Sequence, residues 1–227
     1  MKKVQGVIDS INFSDVSFEE LFIGEDFKIQ PIKGVGVFEP KIWRSYFGKM
    51  TPKNAVDAKI VHTIYGLTLP LKRYARNPHK QTLEFAGLHS YTEKSLFLSA
   101  LLSSKHSSFE RAYITRIDVA IDFMSKVPNA VIKLLLTTRI AFKCKNTTYY
   151  KSEKEKKTNA QMDIKVYDKS KKEGLNEEIK RLEFCFKGQY FNKMTMQDID
   201  KVSVKMQKSI KKMSGLDVEI KQLKVTL

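Results

Sequence analysis

Three short segments place ionisable groups and hydrophobic residues on alternate positions. They are ITRIDVAIDF at 114–123, MDIKVYDK at 162–169 and KRLEFCF at 180–186. Side chains alternate across a β-strand, so residues i, i+2 and i+4 share a face. Ile117, Val119, Ile121 and Phe123 then take one face of the first segment, and Arg116, Asp118, Ala120 and Asp122 the other. In the second, Ile164 and Val166 turn inward and Asp163, Lys165 and Tyr167 outward. In the third, Leu182, Phe184 and Phe186 turn inward and Arg181, Glu183 and Cys185 outward.

If the three strands are neighbours, one open face gathers Asp118, Asp122, Glu183, Tyr167, Lys165, Arg116 and Arg181. Two or three carboxylates suit Mg²⁺ or Mn²⁺, hard ions that prefer oxygen. Such an ion acts as a Lewis acid on a phosphate oxygen. A tyrosine oxygen can attack phosphorus and form a covalent intermediate. Lys165 or an arginine can lower the tyrosine's proton affinity or stabilise charge on the phosphate. Plainer readings compete. Arg–Asp pairs are common cross-strand partners on sheets, and a strand tyrosine is commonly a packing residue. Tyr149 and Tyr150 also compete for any tyrosine role. Other chemistries lack their motifs. His62, His79, His89 and His106 form no HxH or HExxH, and there is no P-loop and no GxGxxG.

The elements that must position these groups can be read from periodicity. VQGVIDSINF reads as a strand, SFEELF as a short helical turn, and GVGVFE and AKIVHTIYGLTL as strand-like runs. QTLEFAG reads as a strand. YTEKSLFLSALLSS follows as a helix, with Thr92 placed to cap it and Phe97, Leu98, Leu101 and Leu102 as its apolar stripe. YITRIDVAIDF is a strand, and VPNAVIKLLLTTRIAF a helix with Pro128 near its first turn. TTYYKS and MDIKVYDK are strands joined by the basic loop KSEKEKKTN, and residues 179–188 form another strand. In the last helix Ile199, Val202, Met206, Ile210 and Met213 recur at steps of three and four. Lys201, Lys205, Lys208 and Lys212 keep the same spacing on another face, as a solvated surface or a DNA-backbone contact. This order predicts an α+β fold: a mostly antiparallel central sheet, helices packed on one face, and an open catalytic face.

Charge narrows the partner. Lys and Arg total 41 against 25 Asp and Glu, a net +16 at pH 7. A balance this positive favours a polyanion, and nucleic acid over a membrane, because no basic amphipathic helix carries a Trp/Phe-rich apolar face. Cys144 and Cys185 have no CxxC spacing, which fits a reducing compartment. With no apolar stretch approaching 18 residues and no leader-like N-terminus, a cytoplasmic protein is expected.

The same segments carry a resemblance. LEFAGLHSYTEKS at 83–95, ITRIDVAIDF, NTTYY, IKVYDKSKKEG and IKRLEFCFKG follow the motif order of the Rep_trans initiators. These serve rolling-circle plasmids and filamentous phages and are related to conjugative relaxases. The resemblance covers residues 80–190 or thereabouts. It implies that Tyr167 is the nicking nucleophile, that Asp118 and Glu183 lead the metal ligands with Asp122 beside them, and that Lys165 and Arg181 are nearby basic groups. It implies Mg²⁺ or Mn²⁺ as cofactor and origin DNA, single-stranded or in a hairpin, as substrate. It further implies a covalent 5′-phosphotyrosine intermediate, a host helicase as partner and a homodimer. Arg116 and Lys169 join the four helix lysines as expected DNA contacts. Residues 1–75 are expected as an N-terminal lobe or an extension of the sheet, and 76–227 as the nicking domain, unless 1–227 form one domain.

Two alternatives stand beside rolling-circle initiation. A conjugative relaxase would use the same chemistry. A non-catalytic nucleic-acid-binding module would stack bases on aromatics exposed on central strands. The clearest strands instead expose acids, which repel phosphate unless a metal intervenes.

Overall fold

The computed structural model describes residues 3–16, 27–31, 56–62, 68–74, 77–104, 109–152 and 161–221. The expected turn SFEELF, the run GVGVFE and residues 153–160 of the basic loop lie outside the described residues.

Strand β6 (Tyr113–Met124) organises the sheet. Its alternation leaves Ile117, Val119 and Ile121 with no exposed surface. On one side it pairs with β10 (Ile179–Lys187), in unbroken antiparallel register from Met124 opposite Ile179 to Arg116 opposite Lys187. Beyond β10 come β9 (Met162–Asp168), β8 (Thr147–Lys151) and β7 (Ile140–Cys144). On the other side β6 pairs with β1 (Val4–Val16). Then come β5 (Asn77–Ala86), β4 (Thr68–Tyr74), β3 (Val56–His62) and β2 (Phe27–Pro31). All these pairings are antiparallel. Strand β11 (Val218–Lys221) is the exception, lying parallel to β1 at Val4–Val7. Among the described residues this makes one 11-stranded sheet of the α+β class, as the element order predicts.

Gly6 is what lets β11 sit so close. A Cβ there would meet Val218 Cγ1 at 2.7 Å, a distance no side chain tolerates. At Asp9 the pairing of β1 with β6 shifts register: Ile8 faces Val119, but Ser10 faces Asp118. The extra residue of this bulge turns Asp9 onto the polar face, while Ile8, Ile11 and Phe13 stay in the core.

One face of the sheet is covered by helices. Helix α1 (Glu93–Ser104) buries Leu98, Leu101 and Leu102, and α2 (Asn129–Leu136) buries Val131 and Leu135. Helix α4 (Ile199–Ser214) buries Val202, Met206 and Ile210 completely, worth about 1.5–3 kcal/mol each. These residues join Ile117, Val119, Phe184 and Phe186 in a single core. Phe13, Phe85 and Phe109 form a ring cluster in it, with centroids 4.7 to 6.3 Å apart. The short α3 (Lys169–Glu173) lies elsewhere, directly after β9.

One expectation fails here. The helix predicted over VPNAVIKLLLTTRIAF stops at Leu136, and its last residues form β7. The Thr137 hydroxyl turns back to the Leu134 carbonyl at 2.7 Å. Buried Arg139 then donates to the carbonyls of Tyr150 and Met162, pinning the chain to β8 and β9. Two β-branched residues and a side chain bonded to strand backbones end the helix sooner than its apolar run suggests.

Candidate active site

The face opposite the helices holds the polar residues, and strand register sets them in rows. Asp122, Arg181, Tyr167 and Thr147 form one row across β6, β10, β9 and β8. Ala120, Glu183, Lys165 and Tyr149 form the next. Asp118, Cys185 and Asp163 form a third. Ala120 is small, so the space opposite Glu183 is left for Asp118 to approach it diagonally.

Glu183 is the hub. Its Oε2 accepts a hydrogen bond from the Tyr167 hydroxyl at 2.9 Å. Its Oε1 lies 2.6 Å from Lys165 Nζ and accepts a weak bond from Cys185 Sγ at 3.5 Å. Asp118 is gripped by its own strand neighbour: Arg116 Nε and Nη2 reach its two oxygens at 2.8 and 2.6 Å. Both acids are buried. Burial and the neighbouring Glu183 push the Asp118 carboxyl above the ordinary range, against the pull of Arg116. Burial acts on Glu183 too, but the Lys165 ammonium and its hydrogen bonds hold it below the ordinary value. Of the two acids, Asp118 is therefore the one that takes up a proton first as pH falls. Tyr167 is buried as well. Burial and the Glu183 charge push its hydroxyl far above the usual phenol range, so it rests as a protonated donor.

Among the described residues, Asp118, Glu183 and Cys185 place one ligand atom each within 4.8 Å of one another. The two carboxylates suit a hard divalent ion. Cys185 does not: burial and the two carboxylates push its thiol well up, leaving it a neutral sulfur beside an oxygen-preferring ion. A divalent ion would offset the repulsion between the two acids.

Asp122 stands apart from this group. Arg181 Nε and Nη2 bind its two oxygens at 2.7 Å each, and the Tyr91 hydroxyl donates to it at 2.8 Å. Burial opposes its charge, but Arg181 holds its carboxyl below the usual range. Arg181 has no exposed surface; it also donates to Asp9 Oδ1 at 2.9 Å and the His89 carbonyl at 3.0 Å. It is thus spent on the scaffold beneath Tyr167. Asp9 in turn fixes the neighbouring turn, its carbonyl accepting from Gly87 and Leu88 N–H. Gly87, at φ +83°, suits that turn as no side-chain-bearing residue would. Glu173 joins the turn to α3 by accepting from Tyr91 N–H and pairing with Lys169.

The remaining expected residues divide. Arg116 lies on the site face but is committed to Asp118. Lys169 is buried against Glu173 and offers no surface to DNA in this state. Lys201, Lys205, Lys208 and Lys212 are exposed on α4, across the sheet from Tyr167. Lys205 also donates to the Tyr190 carbonyl. Tyr150 points into the core and is removed from the nucleophile contest, whereas Tyr149 shares the site face. The sequence reading did not include Asp9, Tyr91 or a site role for His89. Asp9 was signalled only by the break in alternation that the bulge makes. His89 Nε2 stands 4.0 Å from Asp122, half exposed at the rim.

No family model matches the chain, and no curated protein matches it. Among solved structures it is similar to one described as "Structure of Rolling Circle Replication Initiator Protein from Geobacillus stearothermophilus". The identity is 12% and the TM-score 0.47, over 88% of this chain and 78% of that one.

Proposed function

We propose that this chain is a divalent-metal-dependent enzyme that nicks and rejoins one DNA strand through Tyr167, starting rolling-circle replication at an origin. The observation that carries the proposal is the Tyr167 hydroxyl bonded to Glu183, with Asp118 buried beside it on the polar face of the sheet. The net charge of +16 supports a nucleic-acid substrate.

Asp118 and Glu183 would hold Mg²⁺ or Mn²⁺, which when bound supplies charge neutralisation at the scissile phosphate. Tyr167 Oη passes its proton to Glu183 Oε2 and attacks phosphorus. The bond from phosphorus to the 3′ oxygen breaks, and that oxygen takes a proton from solvent and leaves as a hydroxyl. The 5′ phosphate stays on Tyr167 as an ester. Attack by a 3′ hydroxyl reverses the step and returns the proton to Tyr167. Lys165, paired with Glu183, offsets negative charge as the phosphate enters. Arg181 and Asp122 hold the strand beneath the nucleophile rather than touch the phosphate.

The test is covalent trapping. Wild-type protein with Mn²⁺ and DNA from its own replicon should give a protein–DNA adduct that survives denaturing electrophoresis. Tyr167→Phe should bind the same DNA and give none. An adduct at undiminished yield from the Phe variant would move the chemistry to another tyrosine, and no adduct from wild type would end the enzymatic reading.

A further inference from the structure

The row through Glu183 and Lys165 continues outward to Tyr149 and Phe142. On strand spacing these rings lie two and three strands from Glu183, roughly 10 and 14 Å away. They stack on each other, with centroids 5.1 Å apart and planes 12° from parallel. Phe142 is 43% exposed on β7, the edge strand among the described residues, where Ile140 is 44% exposed. Lys151 Nζ stands 5.1 Å over the Phe142 ring, and Lys165 lies between the rings and the acids. Every residue of β7 is exposed, and an edge strand carrying large apolar groups is a liability that folds normally avoid.

We propose that Phe142 and Tyr149 form a stacking platform for unpaired bases next to the scissile phosphate, with Lys151 and Lys165 meeting the adjoining phosphates. This rests on the nicking reading and adds where the bases of the bound strand lie. A ring held flat by a neighbouring ring loses little freedom when a base extends the stack. Only an unpaired base offers its π-face, because duplex stacking covers it. The acids repel phosphate at one end of the row, whereas the aromatic end carries lysines, so a strand can lie outward from Tyr167 along the hairpin.

The experiment measures anisotropy with a labelled thymidine oligonucleotide and an abasic strand of equal length, in EDTA so that no cleavage occurs. Phe142→Leu keeps the apolar bulk and removes the ring. Its affinity for the thymidine strand should fall roughly 5- to 100-fold, with the abasic strand unaffected. Phe142→Trp should restore tight binding, and Tyr149→Leu should behave like Phe142→Leu. Equal losses on both strands, or none on either, would overturn the platform. So would a variant that abolishes self-association in sedimentation yet binds the thymidine strand as wild type does, since the rings then serve a second copy of the chain. Adduct formation by the wild-type preparation is scored in parallel. An adduct with unchanged binding by Phe142→Leu sinks the platform alone. Base-dependent loss without any wild-type adduct keeps the platform and sinks the nicking reading.

Discussion

Replacing Arg181 with Met should cost more stability than almost any other single change on the polar face. The guanidinium has no exposed surface and makes bonds of 2.7, 2.7, 2.9 and 3.0 Å to Asp122, Asp9 and the His89 carbonyl. Methionine fills similar volume, so the loss is electrostatic rather than a cavity. Two largely buried carboxylates would remain without their cation. Breaking a buried pair in this way costs about 3–5 kcal/mol. For a chain of this size each kcal/mol moves Tm by about 2–4 °C, so a fall of roughly 6–20 °C is expected. Arg181→Lys should fall in between, because an ammonium cannot fork to Asp122 while reaching Asp9. Thermal unfolding followed by circular dichroism at pH 7 reads the effect. Adduct formation is then measured well below the variant's own Tm, where it should persist. A Tm within about 2 °C of wild type, together with lost adduct, would refute the scaffold role and make Arg181 a group acting on the phosphate.

Asp118→Asn and Glu183→Gln should each raise the Mn²⁺ concentration needed for adduct formation, read from metal titrations; curves that overlay wild type would remove these residues as ligands. The Asp122 carboxyl, held low by Arg181, contributes stability that is present above its unfolded pKa and lost as pH falls through its lower folded value. The Tm gap between wild type and Asp122→Asn should therefore be widest near neutrality and close below about pH 4. A gap that stays constant into acid would show that the pair does not titrate as a unit.

The polar face was legible because β9, β10 and β6 from Arg116 onward alternate without interruption, so parity alone sorts Asp118, Tyr167 and Glu183 from Ile117, Val166 and Phe184. Register was not legible. Nothing in the sequence places Arg181 opposite both Asp122 and Tyr167, and that placement makes it part of the scaffold. The central position of β1 was hidden by its bulge: Ile8 and Ile11 are three apart, which breaks the period of two. The aromatic pair on β7 and β8 was hidden by the apolar run of α2, whose helical period reads on into RIAF until Arg139 stops it. Lys169 follows β9 in a lysine-rich run, and only the fold of α3 turns it inward onto Glu173.

The bulged strand β1 also fixes an order of events. It is made before all the other described strands, yet its neighbours are β5, β6 and β11, and Val4 finds Val218 only after more than 200 further residues have been made. Contacts so distant in sequence close slowly, and an unpaired strand rich in Val, Ile and Phe invites the wrong partner while it waits. During synthesis β1 is the segment most in need of protection, and its docking is the step expected to limit how fast the Tyr167 face is assembled.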